Sequence, residues 1–204
     1  MMKTFALAVL AAAPVLAADG AMTPAERAFL LEQLEKSKKE VLASIEGLTA
    51  AQWKFKPAPA VWSAQECAEH IILAESFLLD NASKLLQTPA VARPATSNAQ
   101  VDRKLLAGVQ DRSRKATAPE PLVPSARFQT PADAAREFTS RRDKTIAYVK
   151  TTDDGLRVHV GEGPVGPMDA YQFLILLSAH SERHTAQILE VKANPDFPKT
   201  SALP

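Results

Sequence analysis

The sequence predicts an all-α fold, a four-helix bundle with a long crossover between its second and third long helices. Three observations support this prediction. Apolar residues recur at helical spacing along four long stretches, capping sequences open most of these stretches, and histidines stand at matching depths in the second and last of them. The composition agrees, because Ala and Leu are abundant while aromatic residues make up only 6% of the 204-residue chain. This length is typical of a single domain.

A secretory signal is predicted over residues 1–18, ahead of a domain at residues 19–204. Lys3 gives the segment a positive start, and residues 5–16 form an apolar run shorter than the ~20 residues of a membrane span. The small-residue pattern at residues 15–17 fits a cleavage site. We therefore expect a periplasmic or secreted protein with no stable membrane span after cleavage. An N-terminal anchor that is never cut is the alternative.

Charge and cysteine content narrow the function classes. The chain has 24 Lys and Arg against 23 Asp and Glu, and it loses Lys3 with the signal, so the mature protein is close to neutral. No basic stripe indicates nucleic-acid binding. With one cysteine, a secreted chain has no internal disulfide. Cys67 falls within a helical pattern, where a small buried residue is the simpler interpretation and a reactive or ligating thiol is the alternative.

The first long helix is predicted to begin with a capping box. Thr23 can cap the helix, and Glu26 can reach back to the amide of the cap. Gly47 is a plausible end, and residues 49–52 form a second capping sequence that predicts a short helical turn before a proline-rich connection. The apolar face of the first helix comprises Phe29, Leu30, Leu34, Val41, Leu42 and Ile45.

The second long helix is predicted to run from the capping box of Ser63 and Glu66 to about Gln87. Pro89 follows and biases the residue before it away from helix. Its inward face is predicted to comprise Cys67, His70, Ile71, Ala74, Phe77, Leu78 and Leu85.

The remaining chain supplies the crossover and two more helices. Residues 88–129 are rich in proline and hold enough periodicity for one modest helix between residues 98 and 115. The third long helix is predicted over residues 130–151. An extended segment at residues 156–160 and a Gly- and Pro-rich loop at 161–167 follow, and the last helix is predicted from about Met168 to Lys192.

Three histidines are predicted to meet inside this bundle and hold one divalent metal ion. His180 and His184 are four residues apart, so they share one face of the last helix. His70 stands about seven residues into its helix, or roughly 10 Å, and His184 about eight residues before the end of its own, or roughly 12 Å. Antiparallel helices therefore bring the rings to one level, whereas parallel helices leave a mismatch of about 10 Å. Three separately satisfied core histidines are the alternative.

Other polar residues near the histidines have competing interpretations. Glu66 can be a fourth ligand, although its capping role is simpler. Gln187 can bond to the site or fill the bundle end. Glu182 can shuttle protons, but a solvated surface role is favoured, and Arg183 can anchor an anion or form a surface ion pair. His159 is predicted to be non-ligating, near the mouth of the site.

These residues resemble the DinB-like superfamily, the damage-inducible DinB and YfiT-like metalloproteins of bacteria. The resemblance covers nearly the whole mature chain. It is carried by Trp62-Ser63 leading into Glu66 and His70-Ile71, by Gly166-Pro167-Met168, and by the stretch from His180 to Ile188. It implies a four-helix bundle with a long crossover, His70, His180 and His184 as metal ligands, and often a homodimer.

The function implied is a metal-dependent hydrolase or a transferase that uses a low-molecular-weight thiol, acting on a small-molecule substrate. Three neutral imidazoles leave the charge of a divalent ion uncompensated, so zinc lowers the pKa of bound water to about 7 in such sites, or the ion keeps a thiolate ionised. Imidazole ligands suit zinc, nickel or iron, and also copper. A non-catalytic periplasmic metal-binding or structural bundle is the alternative.

Overall fold

The computed structural model describes residues 20–113 and 116–199. The predicted signal peptide lies outside these residues. The elements are α1 (Pro24–Ile45), α2 (Ala50–Lys54), α3 (Ala64–Leu85), α4 (Ala99–Gln110), a 3₁₀ turn at Glu120–Leu122, α5 (Pro131–Thr151), β1 (Val160–Gly163), β2 (Gly166–Asp169) and α6 (Ala170–Lys192). Within the described part of the chain, no helix is both long and apolar enough to span a membrane.

Helices α1, α3, α5 and α6 form the four-helix bundle, and contacts at their ends fix their directions. Arg27, at the start of α1, donates to the carbonyl of Val149 near the end of α5, so these helices are antiparallel. Lys192, at the end of α6, donates to the carbonyl of Ser44 near the end of α1, so α1 and α6 run in the same direction.

Helices α3 and α6 run antiparallel, as the depths of the histidines require. The early α3 residue Cys67 lies in one core cluster with Ile188 near the end of α6, and the late α3 residue Leu78 lies in another with Tyr171 near its start. Helix α5 runs parallel to α3, because its earlier residue Phe138 lies in one core cluster with Cys67 and its late residue Val149 lies in the other with Leu78. Because α3 and α5 are parallel, the chain must return along the whole bundle between them, and residues 86–130 provide this connection. The predicted crossover bundle is confirmed.

The predicted helix starts follow from their capping chemistry. The side chains of Thr23, Thr49 and Ser63 each accept from the amide three residues on, and the residue there bonds back to the cap. Asn98 caps α4, so the modest helix in the crossover is present at Ala99–Gln110. The short 3₁₀ turn before Val123 carries no periodicity and was not predicted.

Two predicted segments differ in the structure. Residues 156–158 form a turn instead of extended chain, because the amide of Val158 donates to the carbonyl of Gly155 at 3.1 Å. The predicted loop at 161–167 belongs to a hairpin in which β1 pairs with β2. Met168 lies in β2, so α6 begins two residues later than predicted, at Ala170, with Asp169 as its cap.

An ion pair between Arg142 and Glu75 lies in the middle of the bundle. Both side chains are almost fully buried, and the guanidinium Nε lies 3.1 Å from each carboxylate oxygen of Glu75. The same guanidinium donates to the carbonyl of Leu34 at 2.8 Å, to the hydroxyl of Ser37, and to the hydroxyl of Ser181 at 2.8 Å. One arginine therefore connects all four bundle helices.

Replacing Arg142 with methionine is expected to destabilise the protein by about 3–5 kcal/mol, because the Glu75 carboxylate is then left buried without its counter-ion. Urea unfolding followed by circular dichroism measures this change. The control is Arg136→Met in the same helix. The Arg136 side chain is 73% exposed, so the free energy of unfolding of this variant should stay within about 0.5 kcal/mol of wild type. Equal stabilities of the two variants would contradict the role given to Arg142.

Candidate metal centre

The structure brings His70, His180 and His184 together between α3 and α6. Their ring centroids lie 4.4 Å apart for His70 and His184, 4.5 Å for His180 and His184, and 4.8 Å for His70 and His180. One nitrogen from each ring can be chosen so that all three atoms lie within 4.8 Å of one another. This arrangement follows from the spacing of four residues on α6 and from the antiparallel course of α3.

Hydrogen bonds fix which nitrogen of two rings is free to bind a cation. The Nδ1–H of His70 donates to the backbone carbonyl of Leu122 at 2.7 Å, and the Nδ1–H of His184 donates to the Oε1 of Gln187 at 2.9 Å. Each bond selects the tautomer that keeps a lone pair on Nε2. Oriented imidazoles of this kind are typical of metal sites, where the second ring nitrogen is almost always hydrogen-bonded.

His180 completes the set. Its Nε2 lies 3.0 Å from the Nε2 of His70, and its buried Nδ1 has no hydrogen-bond partner. Two lone pairs facing each other at this distance repel unless a proton or a cation lies between them. Metal bonds of about 2.0–2.1 Å from each nitrogen span such a gap. The donor set therefore fits a divalent ion.

Burial keeps these imidazoles neutral. It lowers the pKa of His70, against the opposing effect of the bond to the Leu122 carbonyl. Burial, together with the neighbouring His70, lowers the pKa of His184 to about 3. The pKa of His180 falls well below its usual value because of burial and the two nearby histidines. Neutral rings keep lone pairs available at ordinary pH, which metal binding requires.

An aromatic side chain covers one side of the histidine group. The ring of Trp62 lies 4.8 Å from that of His70 and 5.9 Å from that of His184, measured between centroids.

Cys67, one turn before Ile71 on α3, is fully buried, and burial raises the pKa of its thiol. Its interpretation as a small buried residue is confirmed.

The structure decides between the competing interpretations of two neighbours of the histidines. Glu66 bonds to the amide of Ser63 at 2.7 Å and to Lys56 at 2.8 Å, so it caps α3 and does not join the histidines. Gln187 bonds to the site through His184, which was one of its two predicted roles.

The other polar neighbours connect elements around the site. Glu182 was favoured as a solvated residue, but this is wrong: its side chain is only 10% exposed and bonds to Lys36 and Gln110, because α1 and α4 cover that face of α6. Arg183 donates to backbone carbonyls at the end of α4. The Nδ1–H of His159 donates to the carbonyl of Thr88 at 2.8 Å, and this ring lies outside the histidine group.

Sequence reasoning missed the segment that carries the Leu122 carbonyl. We call residues 122–128 the strap. The strap lies along α3 and is held by Glu69, whose fully buried carboxylate accepts from the amides of Ser125 and Arg127. The sequence gives little signal for this segment, because the helical neighbours of Glu69 include the polar residues Gln65 and Glu66, so its burial does not stand out.

Comparisons with known proteins agree with this fold. The family model of the DinB superfamily matches residues 33–188. The uncharacterized protein YuaE of Bacillus subtilis (strain 168) is 24% identical over 158 residues, which cover 77% of this chain and 93% of YuaE.

A solved structure is also similar. YfiT from Bacillus subtilis, described as "a probable metal-dependent hydrolase with an unusual four-helix bundle topology", superposes with a TM-score of 0.57 at 14% identity, over 84% of this chain and 89% of YfiT. At this identity the likeness shows the fold. Because the family model spans most of the bundle, including all three histidines, the chain belongs to the DinB superfamily.

Proposed function

We propose that this protein is a metal-dependent hydrolase in which His70, His180 and His184 hold one divalent ion. The observation that carries the proposal is the convergence of three neutral imidazoles, of which His180 is half-buried while His70 and His184 are buried and oriented by hydrogen bonds that leave Nε2 free. Zinc, nickel and iron are the ions that we expect, because imidazole ligands suit all three.

A set of three ligands is typical of catalytic rather than structural sites. Structural zinc sites are almost always closed by four protein ligands, whereas catalytic sites keep a position for water or substrate. Among residues 20–113 and 116–199, no carboxylate or cysteine joins the three histidines in this group. The donor set thus favours a catalytic centre over a purely structural ion.

The chain's own groups orient the ligands and cover one side of the site. The Leu122 carbonyl and the Gln187 amide hold two rings in position, and Trp62 covers the group from one side. The ion supplies Lewis acidity when bound, which activates water or polarises a substrate oxygen. A small-molecule substrate suits a site enclosed between two helices.

Hydrolysis is favoured over thiol transfer for two reasons. The structurally similar YfiT is described as a probable metal-dependent hydrolase. The predicted signal peptide would export the mature protein to the periplasm or medium, away from low-molecular-weight thiols, which are mainly cytoplasmic.

The predicted export is tested by sequencing the N-terminus of the mature protein and by fractionating cells. The predicted homodimer is tested by light scattering.

Replacing any one of the three histidines with alanine is expected to abolish stoichiometric metal content. Each ring supplies one of three bonds, and two remaining imidazoles hold a divalent ion too weakly to survive purification. Mass spectrometry of the purified protein for metals measures the content. The control variant, His159→Ala, should retain it. Full metal content in His70→Ala would show that this residue is not a ligand.

Cobalt binding is expected to quench the fluorescence of Trp62, because its ring lies against two of the ligands. Titration of the metal-free protein with Co²⁺, with emission recorded, measures the effect. The quenching should be lost in Trp62→Phe and should persist in Trp53→Phe. Equal quenching in both variants would place the ion elsewhere.

Activity is expected only in the metal-loaded protein. A screen of ester, amide and phosphoester substrates, run with and without chelator, should detect hydrolysis that zinc, nickel or iron restores. Transfer of a low-molecular-weight thiol without hydrolysis would identify a transferase. Full metal content without either activity would favour the non-catalytic bundle.

A further inference from the structure

A buried carboxylate next to His70 holds the strap against α3. Glu69 is fully buried, and its Oε1 accepts from the amide and the hydroxyl of Ser125, both at 3.0 Å. Its Oε2 accepts from the amide of Arg127 at 2.7 Å. The Arg127 guanidinium lies 3.8 Å away on a side chain that is 61% exposed, so backbone amides provide the close contacts to this charge.

The strap adopts an unfavourable backbone conformation to make these contacts. Ala126, between the two donating residues, has φ of +58°, in the left-handed region that non-glycine residues rarely occupy. A left-handed residue turns neighbouring amides toward one point and creates a concave site for an anion. Here the anion is the chain's own Glu69 carboxylate.

The strap connects this carboxylate to the histidine group. Leu122 lies three residues before Ser125, and its carbonyl accepts from the Nδ1–H of His70. Glu69 and His70 are consecutive on α3, so one turn of helix contacts the strap at both points. Moving the strap away from Glu69 would carry the Leu122 carbonyl away from the ring of His70.

We infer that Glu69 is a positioning residue for the metal centre, and that it acts through the backbone of the strap to fix the tautomer and orientation of His70. Metal-bound histidines commonly receive this support directly from a carboxylate. In this chain the carboxylate acts indirectly. It accepts from the amides of Ser125 and Arg127 in the strap, and the strap carries the Leu122 carbonyl that contacts His70. The effect on metal affinity rests on the proposed metal centre, whereas the effect on the His70 tautomer does not.

The test replaces Glu69 with glutamine, which has the same shape but presents an NH₂ group to one of the two amides. In the metal-free protein, ¹⁵N NMR of the imidazoles should show His70 changing from the Nδ1–H tautomer to a mixture. In the cobalt-loaded protein, the ligand-field absorption spectrum should change, and the Kd for Co²⁺ should rise about 10–100-fold.

The matched control is Gln65→Met, one turn earlier on the same helix. Gln65 also holds the strap, at the carbonyl of Phe128 with a distance of 2.7 Å, but at the end far from Leu122. This variant should lower the melting temperature while keeping the wild-type His70 tautomer and cobalt spectrum. A second control variant, Ala126→Gly, relieves the strain of the left-handed backbone at residue 126 and should preserve the His70 tautomer and the cobalt spectrum.

A merely structural role for Glu69 would overturn the inference. In that case Glu69→Gln would melt at a lower temperature but keep the wild-type tautomer and cobalt spectrum, or Gln65→Met would alter them equally. If Glu69→Gln fails to fold, Glu69→Asp takes its place, because it keeps the charge and is too short to reach both amides. If wild-type protein binds no Co²⁺, the proposed function fails, and the tautomer measurement still decides the role of Glu69.

Discussion

The bundle depends on one buried charge pair. Arg142 and Glu75 lie where all four helices meet, and neither charge can be left alone in that environment. Glu75 stands five residues after His70 on α3, and Ser181, which accepts from Arg142, directly follows His180 on α6. The pair therefore fixes the relative heights of α3 and α6. These bonds hold α3 and α6 at relative heights that agree with the meeting of the three histidines at one level.

A second set of charges lies at the end of the bundle where α1 and α6 begin. Arg157 is fully buried and pairs with Glu26, Asp102 and Asp169, which belong to α1, to α4 and to the cap of α6. Ion pairs thus hold the starts of α1 and α6. The rings of His70 and His184 are instead held directly by uncharged acceptors, the Leu122 carbonyl and the Gln187 amide.

The family relationship and the geometry support each other without being equivalent. Membership of the DinB superfamily establishes the kind of fold, and many chemistries can share a fold. The function proposed here rests on the site itself: three neutral imidazoles, two fixed tautomers and no fourth ligand side chain in the group among the described residues. Those features belong to this chain and can be tested one residue at a time.

The sequence by itself determined the long helices, their capping boxes, the crossover and the meeting of His70 with the pair on the last helix, because spacing and capping are local properties of the chain. It also permitted a depth argument, since rise per residue is constant along a helix. Only the tertiary structure decided the hairpin before α6, the burial of Glu182 and the role of Glu69. The last two depend on which distant segment covers a given side chain, and α4 and the strap, which cover them, lie in the crossover, where proline-rich sequence carries little periodicity.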